Sequence, residues 1–111
     1  MLTFHTIVLE RLKDFVGEFV TEPYEVGWAR EAIFVVRVHS MNPTGTVLRA
    51  SPLISVDGIE WMDEGSAFAP MSAPGNYFIR VSHFGGWLQL RGRFEGESIQ
   101  ARLTIQLVLK S

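Results

Sequence analysis

The 111-residue sequence predicts an all-β fold, an antiparallel β-sandwich or jelly roll of about seven to eight strands. Two observations carry that prediction. Apolar residues recur with a period of two through most of the chain, which puts them on one face of a strand and would scatter them around a helix. Clusters of Gly, Pro, Asn and Asp interrupt this pattern at intervals of roughly 8–12 residues, the punctuation of a sandwich or barrel. At 47% hydrophobic and 20% charged residues the composition is that of one globular domain, taken as residues 1–111, with residues 1–31 as an N-terminal strand or arm.

The elements follow in order. Leu2 to Leu9 reads as a strand. Leu9 to Val20 has Leu12, Phe15, Val16 and Phe19 at helical spacing, but Gly17 and its β-branched neighbours favour strand and loop over a short amphipathic helix. Ala32, Phe34, Val36 and Val38 alternate with Ile33, Val35, Arg37 and His39, and Asn42-Pro43-Thr44-Gly45 makes the following turn. Leu48, Ala50, Ile54 and Val56 lead into Asp57-Gly58, read as a type I′ turn before Ile59-Glu60-Trp61-Met62. Pro52 cannot donate to a ladder and marks an edge strand or a bulge. Ser66 to Pro74, with small residues and two prolines, is a loop.

The last third holds the clearest alternation. Tyr77, Ile79 and Val81 form one strand, Leu88, Leu90 and Phe94 a second, and Ile99, Ala101, Leu103, Ile105, Leu107 and Leu109 a third. With Gly85-Gly86 and Glu95-Gly96-Glu97 between them, they read as a three-stranded meander. Phe34, Trp61, Phe78, Leu90, Leu103 and Ile105 are the core candidates.

Several function classes drop out. Ten Lys and Arg against twelve Asp and Glu give a net charge of −2, which argues against a nucleic-acid partner. Without cysteine there is no disulfide framework, zinc-thiolate site or thiol nucleophile. No apolar run approaches the ~20 residues of a membrane helix, and Met1 to Leu9 lacks the basic start of a signal peptide. His5, His39 and His83 stand apart, without metal-ligand spacing. Asp57, Glu60, Asp63 and Glu64 could form a carboxylate pair or a calcium site, but a turn former beside a solvated rim suits their spacing better. No serine lies in a nucleophile elbow, and Gly85-Gly86 opens no phosphate loop. The expectation is a protein that is not an enzyme, with no catalytic residue, metal or cofactor.

Binding remains. Tyr24, Trp28, Trp61, Tyr77, Phe84 and Trp87 can fill a core or present a sugar-stacking platform, so a carbohydrate partner is one reading. Arg80, Arg91, Arg93 and Arg102 lie on the wet phase of the C-terminal strands, whereas Glu18, Glu22, Glu25 and Glu31 gather earlier. That separation suits head-to-tail or ring association, with the four arginines as interface candidates.

From Ala32 to Lys110 the order of motifs resembles small β-sandwich structural proteins of tailed-bacteriophage and prophage gene clusters. The resemblance rests on the Ala32–His39 strand, Asn-Pro-Thr-Gly-Thr at 42–46 and Ser55-Val56-Asp57-Gly58-Ile59-Glu60-Trp61. Tyr77-Phe78-Ile79-Arg80, Trp87-Leu88-Gln89-Leu90-Arg91 and the final Leu107-Val108-Leu109-Lys110 complete it. It implies a virion role, as a capsid decoration protein or tail component that self-associates or binds other particle proteins, found in the virion or in the cytoplasm before assembly. The Ser55, Asp57, Gly58 and Trp61 piece also looks like the Asp-box hairpin of sialidase-type propellers, but a propeller needs several such repeats and far more chain. Its physics is local. Ser55 and Asp57 can bind turn amides, Gly58 can take positive φ, and Trp61 can pack back on the sheet.

Overall fold

The computed structural model describes residues 4–42, 46–82, 84–95 and 100–111. Nine strands run through them: β1 (Phe4–Phe15), β2 (Glu18–Val20), β3 (Tyr24–Glu25), β4 (Glu31–Asn42), β5 (Val47–Ser55), β6 (Met62–Asp63), β7 (Gly75–Val81), β8 (Trp87–Glu95) and β9 (Gln100–Lys110). The fold is all-β, with no helix among the described residues. Sheet A is four-stranded in the order β1-β9-β4-β7, and sheet B follows β2-β8-β5-β6 with β3 also paired to β8. All the pairings are antiparallel, and the two sheets pack face to face.

The period-two pattern builds this core directly. Ala101, Leu103, Ile105, Leu107 and Leu109 of β9 are buried, as are Ala32, Phe34, Val36 and Val38 of β4. They meet Leu88, Leu90 and Phe94 of β8 and Leu48 and Ala50 of β5 from the other sheet. Burying each large aliphatic or aromatic side chain contributes about 1.5–3 kcal/mol, so these inner rows hold the sandwich together.

The meander expected at the C-terminus does not form. β7 pairs with β4, β8 with β5, and β9 lies between β1 and β4. Alternation fixes which side chains share a face, not which strand is the neighbour. β8 and β9 each bury one face in the same core, so they sit across it from one another and the chain crosses between sheets after Glu95. Most of the expected Glu95-Gly96-Glu97 turn lies outside the described residues, as do Pro43-Thr44-Gly45. β4 and β5, on either side of that second segment, also belong to different sheets.

Two core candidates are corrected. Phe78 is 61% exposed, because it stands on the opposite phase of β7 from Tyr77, Ile79 and Val81. Trp61 is half-buried at the entry to β6. Conversely, Phe68 and Met71 in the 66–74 loop are buried. The Phe68 amide donates to the Ala50 carbonyl at 3.0 Å, and Leu48 and Met71 exchange backbone hydrogen bonds at 2.8 and 3.0 Å. The loop is thus docked along the free side of β5.

Residues 9–20 are strand and loop. The helical spacing there reflects two register breaks in β1, between Val8 and Glu10 and between Glu10 and Lys13. At the second, Leu12 takes φ 49° and its amide donates to Thr104 Oγ1 at 3.0 Å. The breaks re-phase the strand so that Phe15 is buried while Leu12 and Val16 are exposed. β1 lies along β9, and β2 and β3 along β8, so residues 4–25 sit within the sheets.

Pro52 occupies a position where its missing amide costs nothing. Its partner Leu90 turns its own N–H and C=O toward Thr21, bonding Thr21 Oγ1 and the Thr21 amide at 2.9 Å each. The polar side of Pro52 therefore faces the sheet edge, where its carbonyl accepts from the Glu64 amide at 3.2 Å.

Candidate functional site

The register of β5 on β8 builds a groove on the outer face of sheet B. Arg49 lies opposite Arg93, and Ser51 opposite Arg91, all on the phase pointing away from the core. Glu18 of β2 flanks Arg93, and Ala67 and Phe68 form the opposite wall. The concavity measures about 480 Å³. Like charges directly opposite on paired strands repel, and the Glu95 carboxylate relieves this by contacting both Arg49 Nε and, at 3.8 Å, Arg93 Nη2. Arg91 Nη2 meets Asp63 Oδ1 at 2.9 Å. Every one of these ion pairs is largely solvated, so each contributes only about 0–1 kcal/mol. Such arginines can exchange an internal carboxylate for a partner's at small cost.

The four arginines singled out in the sequence do not share a face. Arg91 and Arg93 are on the outside of sheet B, whereas Arg80 and Arg102 are on sheet A. Arg102 binds Asp14 through two contacts, Nε–Oδ1 at 3.0 Å and Nη2–Oδ2 at 3.3 Å. The guanidinium holds the Asp14 carboxyl below its usual range, and the carboxylate in turn raises Arg102. Arg80 is exposed and makes no ion pair among the described residues. Arg49 joins the groove although the sequence did not point to it. Its wet phase in β5 is legible, but its place opposite Arg93 depends on pairing.

At the other end of sheet B's outer face, the 56–61 segment forms a capped loop. It is not a two-residue type I′ turn, since β6 begins only at Met62 and only Gly58 of the Asp57-Gly58 pair has positive φ, 79°. Ser55, fully buried, organises it. Its Oγ accepts from the amides of Asp57 at 3.3 Å and Gly58 at 2.8 Å, and donates to Asp57 Oδ1 at 3.0 Å. That carboxylate oxygen accepts from the amides of Ile59 at 2.8 Å and Glu60 at 3.0 Å. Gly58 lies on the Trp87 ring, where a Cβ would stand 3.2 Å from Cε2. The loop thus covers that indole instead of exposing it.

Ser55→Ala leaves these amides without their buried acceptor, and the expected loss is about 1–3 kcal/mol in urea unfolding. The Trp87 emission should shift with it, and an unchanged midpoint would contradict the network. The amides of Ile59 and Glu60, with Ser55, hold the Asp57 carboxyl below its usual range. A lowered carboxyl stabilises the fold above its unfolded-state pKa and loses that contribution as pH falls through the lowered value, so the loop should persist until strongly acid pH.

The other candidates disperse. His5 meets Trp28 edge-on at 5.3 Å between ring centroids, and His39 Nε2 lies 2.8 Å from Thr104 Oγ1. His83 lies outside the described residues. The acidic cluster divides its work: Asp57 caps the loop, Asp63 pairs with Arg91, and Glu64 Oε1 accepts from the Ser66 amide at 2.9 Å. No group of three or more His, Asp or Glu among the described residues could hold a metal ion. The three tryptophans sit in different settings, with Trp61 half-buried just before β6. Trp28 is by His5, Trp87 is under Gly58, and the one aromatic lining the groove, Phe68, is buried.

No protein-family model matches the chain, and no curated protein sequence matches it. Solved structures do share its fold. The SPBc2 prophage-derived protein YomS superposes with a TM-score of 0.64 at 8% identity, over 100% of this chain and 96% of that one. The CBM36-1 domain of a multidomain xylanase, from the hindgut metagenome of Trinervitermes trinervoides, gives 0.58 at 12% identity over 96% of each. The PBSX exported protein XepA gives 0.61 at 9% identity, over 98% of this chain and 36% of XepA. At these identities the likeness is one of fold, a β-sandwich used by a prophage-derived protein, an exported protein and a carbohydrate-binding module.

Proposed function

We propose that this chain is a non-enzymatic structural protein of a phage-like particle, a capsid decoration or tail component. It acts by self-association or by attachment to a symmetric particle. The observation that carries the reading is the difference between its two outer faces. Across sheet A a row runs from Phe78 through Val35 and Gln106 to Val8, beside a second of Arg80, Ile33, Val108 and Thr6. A wet sheet face ordinarily carries polar residues on that phase. Sheet B instead presents arginines and carboxylates in an open groove. An apolar patch set among charged residues on one face and a charged groove on the other suit contacts that repeat through a particle, where many modest interactions add. The full-length likeness to YomS supports the same reading.

The test is light scattering coupled to size exclusion, over a wide concentration range and at two salt levels. The expected result is a mass that rises from 12.5 kDa to a defined multiple. Salt sensitivity would assign the contact to the arginine groove, and salt insensitivity to sheet A. A persistent monomer that also fails to bind particles would overturn the proposal. The alternative, a lectin-like carbohydrate-binding module, draws on the likeness to the CBM36-1 domain. Tryptophan emission unmoved by a broad glycan panel would count against it.

A further inference from the structure

We propose that the edge of β7 is a self-pairing surface. There a second copy of this chain adds its own β7, antiparallel, across a two-fold axis at Phe78. This inference rests on the assembly reading and names the surface. A sandwich has four sheet edges, and three of these are blunted. β1 carries two register breaks, a residue at positive φ and the charges of Glu10, Arg11, Lys13 and Asp14. The short β2 and β3 close one side of sheet B, and the two-residue β6 with its docked loop closes the other. Bulges, charges and short strands are the devices that keep edges from pairing.

β7 has no bulge and runs for seven residues. It pairs with Ala32–Val38 of β4 in unbroken register, carries one charge, Arg80, and places Phe78, 61% exposed, at its midpoint. Among the described residues no backbone hydrogen bond reaches its outer side.

The strand is also self-complementary. A two-fold axis normal to the sheet keeps side chains on their own faces, so paired residues must share a phase. Centring it on Phe78 engages all seven residues. Tyr77 then faces Ile79 of the partner subunit, Asn76 faces Arg80 of the partner subunit, and Gly75 faces Val81 of the partner subunit. No like charges meet, and each guanidinium faces an amide carbonyl. The two Phe78 rings join the Val35 side chains into one apolar patch, and two copies of sheet A become a continuous sheet. Two seven-residue edges bury less than the roughly 1,600 Å² of a standard interface, so the expected association is in the micromolar range.

The absence of cysteine makes the test clean. In Phe78→Cys the two sulfurs meet across the axis, since paired Cα atoms at about 4.5–5.5 Å fall within disulfide range. Mild oxidation should give a covalent dimer at least ten times faster than for Val20→Cys, an exposed control on β2. Equal rates would overturn the inference. Phe78→Lys and Phe78→Glu, both at an exposed site, should each weaken the dimer at least tenfold, and an equimolar mixture should restore it. If the wild type associates and neither charge variant changes its mass, the β7 edge is wrong while assembly through another face stands. If the wild type stays monomeric and Phe78→Cys does not cross-link, intrinsic self-association itself fails.

Discussion

Replacing Phe34 by alanine should cost about 3–5 kcal/mol. Phe34 is fully buried in the first half of β4, a central strand of sheet A, with Leu107 beside it on β9 and Ile79 on β7. Its ring faces the inner row of sheet B, so truncation opens a cavity that neither rigid sheet can collapse to fill. A domain of this size has only about 5–15 kcal/mol of total stability, and the variant should lie near the limit of folding. The informative comparison is Phe78→Ala, measured below the concentration at which copies associate. Phe78 stands one strand away, mostly in water, and its truncation should shift stability by no more than about 0.5 kcal/mol. Urea unfolding of both variants checks the assignment, since equal midpoints would contradict the burial contrast and a larger loss for Phe78→Ala would mean that the inner and outer faces of sheet A had been exchanged.

That contrast also marks how far the sequence could be read. The period of two assigns Leu103, Ile105 and Leu90 to the core correctly, because side-chain phase within one strand is a local property. The same rule applied to Tyr77, Ile79 and Val81 places Phe78 outside, and its hydrophobicity alone had suggested otherwise. The Ser55–Asp57–Gly58 device was legible for the same reason: its hydrogen bonds all close within a few residues.

What could not be read is whatever depends on pairing. Arg49 meets Arg93 across a sequence separation set by the β5–β8 register, and Arg91 and Arg102 lie on opposite sheets although both alternate cleanly with apolar neighbours. Phe68 and Met71 carry no periodic signal because their loop is held by an adjacent edge and not by its own pattern. The groove is therefore a product of topology, and the residues that line it come from four separate stretches of chain.

A second large effect is expected where the sequence has no side chain at all. Gly92 sits inside β8, a place where glycine is normally about 0.5–1 kcal/mol worse than alanine. Its φ is not positive, so the backbone does not require glycine. Space does. A Cβ on Gly92 would lie 2.3 Å from Cζ and 2.6 Å from Cε1 of Phe19, the residue opposite it on β2. That ring is held on both sides, with its centroid 4.3 Å from Phe15 and 6.2 Å from Phe94, so it has no easy direction of retreat. Gly92→Ala should therefore cost about 1–3 kcal/mol through overpacking. The strain should leave through β2, three residues long, and carry Glu18 away from the groove wall. The decisive measurement is the double-mutant cycle. With the ring removed in Phe19→Ala, the same Gly92→Ala change meets no obstacle and should become neutral or stabilising, because only the backbone preference remains. A reversal of sign between the two backgrounds would identify Phe19 as the reason for the glycine, and equal penalties in both would place the constraint in β8 itself.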